Sequence, residues 1–389
     1  MIARWMIMSG VALCQFLTTI AKAQDQPPPA VDLGAAYVVD TIGVFSANGP
    51  DNVDALDNLN LTATFDFDRL IGWSGGSGHV HVLNNLGGMP NNHAATLQGI
   101  DNIEVASQRL RLFEAWVEQR VGSTTTVRAG LYDLNSEFYA NESAGMLIAP
   151  AFGVGSEIAA TGPNGPSIFP STALSVRVDH RISDNGYVRL AVLNAAAGTL
   201  GDTPGVNLTF DDGALLIGEA GFGQRGKFAL GGWSYTRRQD DVRIVDRTGK
   251  AVRQRAHGVY AVAEHPIGLA GTAHPLSAFL RLGISDGHTT PFRGGWQAGF
   301  LIEHPLSSRP HSSASIGFNQ GYLSRGYRRN LRDVGVDPSA AETAFEITYS
   351  DNVTPFLTIQ PDVQMVVNPA GDTGRDPVVV VGLRVRFEY

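Results

Sequence analysis

The clearest indication of the fold class is Val381-Gly-Leu-Arg-Val-Arg-Phe-Glu-Tyr389, at the end of the sequence. Its odd-numbered positions are all apolar or aromatic, whereas its even-numbered positions are glycine, arginine or glutamate. Because successive side chains of a β-strand point to opposite faces, the stretch predicts a strand with one apolar face and one charged face. A transmembrane barrel strand, with lipid on one side and water on the other, has this pattern.

The same period of two recurs in six further stretches, at 59–68, 174–182, 188–192, 278–285, 296–303 and 357–368. Between the second and third of them, Ser183-Asp-Asn-Gly186 predicts a hairpin turn. The longer Gly/Pro-rich stretches 141–170 and 203–213 are expected to be outer loops or lumen plugs. We therefore predict an all-β fold, a transmembrane antiparallel β-barrel of about 16 strands with inward-folded loops.

The first 23 residues predict a secretory signal peptide, because Arg4 precedes an apolar run and Ala21-Lys-Ala23. The expected organisation is a signal peptide at 1–23, a short N-terminal segment at 24–36 and the barrel at 37–389. Later residues contain no apolar run long enough for a membrane helix, which leaves a barrel or a soluble exported protein. Removing Arg4 and Lys22 with the signal would change the formal charge from −8 to −10, which argues against nucleic acid as a partner.

Six arginines fall on the polar side of their predicted strands. An arginine at the lipid midplane costs about 2–4 kcal/mol, so these side chains are expected to face a water-filled lumen. Acidic neighbours such as Asp179 offer an alternative role, in which ion pairs stabilise the barrel wall. The six are Arg128, Arg177, Arg189, Arg281, Arg384 and Arg386.

Three carboxylates, Asp133, Glu137 and Glu142, follow the predicted strand 127–131. Two carboxylates beside a polar passage suit acid and base catalysis of glycoside cleavage, but they equally suit a channel that hydrogen-bonds sugar hydroxyls, or simple loop caps. We assign Asp133 and Glu137 to the pore lining. Trp116 and Tyr132 are aromatic candidates for stacking on a sugar ring, although interfacial girdles are the commoner place for barrel aromatics.

Two short motifs suggest other chemistry. Gly72-Trp-Ser-Gly-Gly76 matches the G-x-S-x-G pattern of hydrolases, which requires a strand that turns into a helix, whereas a second strand is expected here. His79 and His81 share one strand face, but the sequence shows no third metal ligand near them. We therefore expect a glycine-rich turn, lumen-facing histidines, no catalytic residue, no metal and no cofactor.

Several segments resemble the carbohydrate-selective porin family, the OprB-type porins of Gram-negative bacteria. They occur in the family's order and span most of the chain after the signal. The resemblance implies an outer-membrane barrel of about 16 strands through which glucose and related sugars diffuse passively, with arginines and carboxylates at a constriction. The resembling stretches are 65–76 with His79-Val-His81, 111–119, 130–138, 169–178, 219–222, 257–260, 279–283, and 361–364 with Asn368-Pro369.

The expected partners are carbohydrate solutes, outer-membrane lipid and the barrel-assembly machinery, which would recognise the terminal strand Val381 to Tyr389. A homo-oligomer is compatible with the sequence. Three alternatives stay open at this point: a porin for general solutes, an outer-membrane barrel enzyme, and a soluble exported sugar-binding β-protein.

Overall fold

A computed structural model describes residues 29–46, 51–223, 226–268 and 274–389. Sixteen of its strands close into one barrel in which every pair is antiparallel, and this confirms the predicted fold class. β10 and β11 form a separate two-stranded hairpin between β9 and β12. The strands are β1 Val31–Ser46, β2 Asn52–Asp66, β3 Gly76–Gly87, β4 Leu110–Val121, β5 Thr125–Tyr132, β6 Ala173–Ser183, β7 Gly186–Asn194, β8 Ala214–Phe222, β9 Lys227–Tyr235, β10 Gln239–Val245, β11 Ala251–Gln254, β12 His257–Pro266, β13 Leu276–Ser285, β14 Phe292–Glu303, β15 Ser312–Leu323, β16 Ala341–Thr354, β17 Leu357–Val367 and β18 Val378–Glu388.

The barrel closes where β1 pairs with β18, with Tyr37 opposite Phe387. β1 begins at Val31, so the predicted boundary of the barrel at residue 37 is wrong. The earlier residues continue the ladder because Val31 and Leu33 pair with Phe65 and Ala63 of β2. The predicted signal peptide lies outside the described residues.

Alternation along the strands separates a lipid face from a lumen face. Leu190, Leu280 and Leu383 are 58%, 43% and 44% exposed on the outside, a burial pattern that only a surrounding apolar phase makes favourable. The arginine next to each of them points inward. All seven stretches with the predicted period of two fall on barrel strands apart from residues at their ends, where Phe67 and Asp68 of 59–68 belong to α1.

The two ends of the barrel differ in the length of their connections. Short connections such as the β6–β7 turn at 184–185 lie at one end, which we call the turn end, and this confirms the predicted hairpin. Connections such as 88–109, 133–172 and 195–213 lie at the other, which we call the loop end. The predicted loop at 203–213 belongs to the last of these, and the Thr203 hydroxyl accepts a hydrogen bond from Arg109 Nη1 at 3.2 Å.

Helices are short in the described part of the chain, and none is long and apolar enough to cross a membrane. Asp66 caps α1 by accepting hydrogen bonds from the N–H groups of Asp68 and Arg69, and Ser324 caps α4 in the same way. The helices are α1 Phe67–Ile71, α2 Asn91–Ala94, α3 Ser156–Ala159 and α4 Arg325–Asp333, with 3-10 turns at Leu134–Ser136, Pro150–Phe152 and Pro369–Gly371.

Residues 133–172, which join β5 to β6, fold into the barrel, and we call them the inward loop. Its Leu134, Phe138 and Ile158 are fully buried and pack in one apolar cluster with Leu193 and Val262 of the wall. Removing these side chains from water holds the loop inside the barrel. The inward loop, which contains the Gly/Pro-rich stretch 141–170, therefore narrows the lumen.

The lumen side of the closing seam is apolar near the loop end. Val378 and Val380 of β18 are buried in a cluster with Ile42 of β1, and Ile100 and Ile103 of the 88–109 connection cover them. The interior is thus polar only in part, because two connections fold over the wall and shield apolar patches from water.

Candidate functional site

Three of the predicted arginines lie side by side on the lumen wall. Arg128 of β5 is the register partner of Arg177 of β6, and Arg189 follows on β7 opposite Asp179. We call Arg128, Arg177 and Arg189 the arginine cluster. Three cations can stand this close only because carboxylates lie among them.

Arg177 is the central member of the arginine cluster. Its Nε and Nη2 donate to the two carboxylate oxygens of Glu137 at 2.8 Å, and Nη2 also donates to Glu118 Oε2 at 2.7 Å. Nη1 donates to the hydroxyl of Thr126 at 2.6 Å. With 2% of its side chain exposed, Arg177 is fully engaged and holds the inward loop against the wall.

Arg128 is more exposed to the lumen than Arg177 is. It donates to Glu118 Oε2 at 3.0 Å, and its guanidinium lies 3.8 Å above the ring of Trp116. Arg128 and the ring of His79 both lie against Trp116, which is partly exposed, and Tyr132 is fully buried, so other side chains occupy the positions of the predicted stacking on a sugar. Arg128 itself keeps 13% of its side chain exposed to the lumen.

Glu137 of the inward loop is the shared acceptor. Arg189 donates from Nη1 to its backbone carbonyl at 2.8 Å and from Nε to Asp179 at 2.7 Å. Burial raises the pKa of the Glu137 carboxyl, but the charges of Arg189, Arg128 and Arg177 outweigh burial and lower its pKa below the ordinary value. Glu137 therefore stays ionised and balances the cluster.

Asp133, at the start of the inward loop, behaves in the opposite way. Its N–H donates to Glu114 Oε1 at 3.0 Å, and its own Oδ1 accepts from the N–H of Asn135 at 2.9 Å. Burial and the charge of Glu114 raise the pKa of Asp133 to about 7. Asp133 also lines a cleft that Asn102, Asn135 and loop backbone border, so a titratable group faces this part of the lumen.

A set of carboxylates on the wall holds the backbone of the inward loop, and sequence reasoning missed them. Each accepts hydrogen bonds from loop N–H groups; Glu264, for example, accepts from those of Glu142 and Ser143 at 3.0 and 2.8 Å. In the sequence each of these carboxylates is a single acidic residue on the polar side of its strand, and such a residue does not indicate a contact with a loop. The set comprises Glu114 of β4, Glu219 of β8, Glu264 of β12 and Glu346 of β16.

Two tyrosines donate hydrogen bonds to Glu219, and each tyrosine occupies the space that a glycine leaves open. The hydroxyls of Tyr187 and Tyr260 donate to its two oxygens at 2.5 and 2.8 Å. Each tyrosine ring lies flat over the glycine opposite it, Gly221 or Gly231, where an added Cβ would stand 2.5 or 2.1 Å from the nearest ring or hydroxyl atom. Only glycine leaves room for this arrangement.

The remaining predicted arginines lie outside the cluster. Arg281 is fully buried and donates to the carbonyl oxygens of Phe152 and Gly153, so it holds the far part of the inward loop. Arg384 bonds both oxygens of Asp40 and, at 2.8 Å, Asn102 of the 88–109 connection. Arg386 pairs with Glu388 at the turn end and is 46% exposed.

The G-x-S-x-G motif lies on a turn. Gly72 and Gly75 both have φ of 71°, and α1 precedes them while β3 follows. A nucleophile elbow requires the reverse order, from strand to helix, so the expected glycine-rich turn is confirmed.

Comparison with known proteins agrees with this architecture. Residues 52–389 match the sequence profile of a family described as "Carbohydrate-selective porin, OprB family". Porin B of Pseudomonas aeruginosa is 21% identical over 376 residues, which cover 86% of this chain and 81% of that protein.

Solved structures extend the similarity. A high-pH structure of OprB from Pseudomonas putida superposes with a TM-score of 0.83 at 20% identity, covering 92% of this chain and 94% of that one. The outer-membrane channel DcaP of Acinetobacter baumannii gives a TM-score of 0.56 at 11% identity, covering 92% and 97% of the two chains. At these identities the structures support the barrel fold.

Proposed function

The chain belongs to the OprB family of carbohydrate-selective porins, and we propose that it is a passive outer-membrane channel for sugars such as glucose. The family consists of channels rather than enzymes. A porin needs no chemical step, because a solute moves down its own gradient when the lumen offers binding that is favourable enough to enter and weak enough to leave.

The observation that supports sugar passage is the polar array where the inward loop meets β5, β6 and β7. Arg128, Arg189 and Glu137 each keep 13–19% of the side chain exposed there. Fixed guanidinium donors beside a carboxylate acceptor match vicinal sugar hydroxyls, each of which donates and accepts. We assign the solute contacts of the constriction to Arg128, Arg189, Glu137 and Asp133.

The other predicted arginines have supporting roles in this proposal. Arg177 fixes Glu137 in position, Arg281 holds the inward loop, and Arg384 holds the 88–109 connection. Arg386, exposed at the turn end, lines the mouth of the pore. Pore size thus depends on residues that a solute does not touch.

The proposal includes the route to the membrane. The signal peptide 1–23 directs export in a Gram-negative bacterium, and the assembly machinery recognises the terminal strand Val381 to Tyr389. The turn end then faces the periplasm, since barrel turns on that side are short. A homo-oligomer is compatible with this arrangement and would show in the mass of the detergent-solubilised protein.

Liposome swelling tests the proposal. Vesicles that contain the purified protein should swell faster in isosmotic glucose than empty vesicles. Neutral solutes of similar size without vicinal hydroxyls should enter more slowly. Equal rates for both solutes would favour a general porin, and the absence of swelling in any monosaccharide would refute the channel.

A further inference from the structure

Two histidines and one glutamate meet on the lumen side of β3 and β4. Glu114 is the register partner of His81, and His79 lies two residues along the same face. One ligand atom from each of the three lies within 4.8 Å of the others, and His81 Nδ1 is 4.0 Å from Glu114 Oε2. Among the residues that the structure describes, no other group of three histidine, cysteine or acidic side chains converges in this way.

The hydrogen bonds of His81 determine which of its nitrogens is free. His81 Nε2 lies 2.9 Å from Asn60 Oδ1. The amide nitrogen of Asn60 donates to Asn58, so the Asn60 oxygen faces the histidine and must accept. The proton of His81 is therefore on Nε2, and the lone pair of Nδ1 points toward Glu114.

His79 and Glu114 are oriented in a similar way. His79 Nδ1 is 3.0 Å from the hydroxyl of Thr64, and its ring stacks on Trp116 with the centroids 5.3 Å apart. A proton donated from Nδ1 to the hydroxyl leaves the lone pair on Nε2. Glu114 uses Oε1 to accept the N–H of Asp133, which leaves Oε2 for another partner.

We propose that His79, His81 and Glu114 bind a divalent transition-metal ion of the Zn²⁺ type. Two imidazoles and a carboxylate are a common zinc donor set, and a site with three protein ligands keeps a fourth position for water. Ligating histidines characteristically have their second nitrogen hydrogen-bonded, as both have here. Bonds of about 2.1 Å place tetrahedral ligands about 3.4 Å apart, so the side chains need only close on the ion.

The sequence did not predict this site because its third ligand is on another strand. The register of β3 and β4 supplies that ligand. The site also adjoins the arginine cluster, since His79 stacks on the same Trp116 that Arg128 covers. A bound ion would add positive charge to this wall of the lumen, so it should shift ion selectivity toward anions.

Metal titration of the purified protein tests the inference. Detergent-solubilised protein without a polyhistidine tag, stripped with a chelator, is titrated with Zn²⁺ by calorimetry and with Co²⁺ by visible absorption. We expect one ion per chain. The double variant His79→Ala/His81→Ala should lose binding, and Glu114→Gln should weaken it.

A matched control is His180→Ala. His180 Nδ1 also lies close to a threonine hydroxyl, that of Thr125 at 2.9 Å, but His180 belongs to no such group of three. Its loss should leave the titration unchanged. Asn60→Leu, which removes the acceptor that orients His81, should reduce affinity about 10–100-fold.

Two further measurements keep the test decisive. Heat-modifiable migration on a gel shows that each variant is still a folded barrel. Bilayer recordings of the wild-type channel should show a shift toward anion selectivity that Zn²⁺ causes and a chelator reverses. The inference would be overturned by wild-type protein that binds no ion, or by a folded double variant that binds the ion as tightly as the wild type. Neither result would bear on the proposed sugar channel, which liposome swelling tests separately.

Discussion

Arg177 of β6 and Glu137 of the inward loop share two hydrogen bonds of 2.8 Å, one from Nε to Oε2 and one from Nη2 to Oε1. This bidentate pair joins the wall to the loop and so fixes one dimension of the lumen. The planar fork of arginine gives the pair a defined direction as well as energy.

Arg177→Ala should widen and loosen the constriction. Truncation of a buried partner typically costs about 3–5 kcal/mol, and the lower end applies because Glu137 keeps Arg128 and Arg189 nearby. We expect higher single-channel conductance, weaker block by sugar and an earlier thermal transition. Arg181→Ala is the control, because Arg181 lies on the same strand but is exposed and donates from Nη2 to the carbonyl of Ser123. Unchanged conductance in Arg177→Ala would show that the pair does not set the pore size.

Asp133 should give the channel a pH dependence near neutrality. Its pKa of about 7 means that it ionises within the lumen as the pH rises through that value, which adds a negative charge and increases cation preference. Asp133→Asn should flatten this part of the profile, measured as reversal potential in a salt gradient. Asp184→Asn, in the exposed β6–β7 turn, should keep the wild-type profile.

The raised pKa of Asp133 also makes the stability of the folded protein depend on pH. Because the pKa of Asp133 is raised in the folded state, the folded protein binds a proton that the unfolded chain has released, between about pH 4 and pH 7. Stability should therefore fall as the pH rises through this window. Asp133→Asn should reduce that loss in thermal unfolding, and an identical pH dependence in the variant would contradict the assignment.

Glu264→Ala should release part of the inward loop. The buried N–H of Ser143 would lose its acceptor at a cost of about 1–3 kcal/mol, whereas the exposed N–H of Glu142 can bond to water instead. We expect noisier, larger currents and faster proteolysis within 133–172. Glu264→Gln keeps one acceptor oxygen, which can serve the buried N–H of Ser143, so it should release the loop less than the alanine variant does. Protease resistance equal to that of the wild type in the alanine variant would argue against this anchor.

Leu383→Arg should destabilise the barrel through its lipid face. Leu383 is exposed near the middle of β18, where arginine costs about 2–4 kcal/mol, whereas Phe387→Arg, close to the interface, should cost about 0–1 kcal/mol. Denaturant unfolding in lipid vesicles measures both. A smaller loss for Leu383→Arg than for Phe387→Arg would reverse the inferred depth of the two residues.

The strands were predictable because their pattern is local. At 383–388 of β18 and 174–182 of β6 each apolar residue has a polar neighbour beside it in the chain, because lipid requires an apolar outer surface while the lumen admits polar side chains. The start of β1 was missed because the stretch from Val31 to Tyr37 includes Gly34 and two alanines, which blur the alternation. Its pairing with β2 supplies the evidence that composition lacks.

The partners of the candidate site were less predictable. Asp133 and Glu137 were selected because they follow a strand, but nothing local indicates that Glu137 lies between three arginines. Glu114 and Glu264 looked like ordinary polar positions. Their roles depend on where the inward loop crosses the lumen, and a sequence pattern with a period of two carries no information on that path.

The alternation along the strands is sufficient to predict a barrel with lipid outside and arginines inside, because burial in a membrane requires an apolar side chain at every second residue of a strand. The folded chain was needed to show which arginines meet, which carboxylates hold the inward loop, and that Glu114 lies beside His79 and His81. Such contacts depend on strand register and on the path of the loops. Closure of the whole sheet brings residues that are distant in the sequence within a few ångströms of each other.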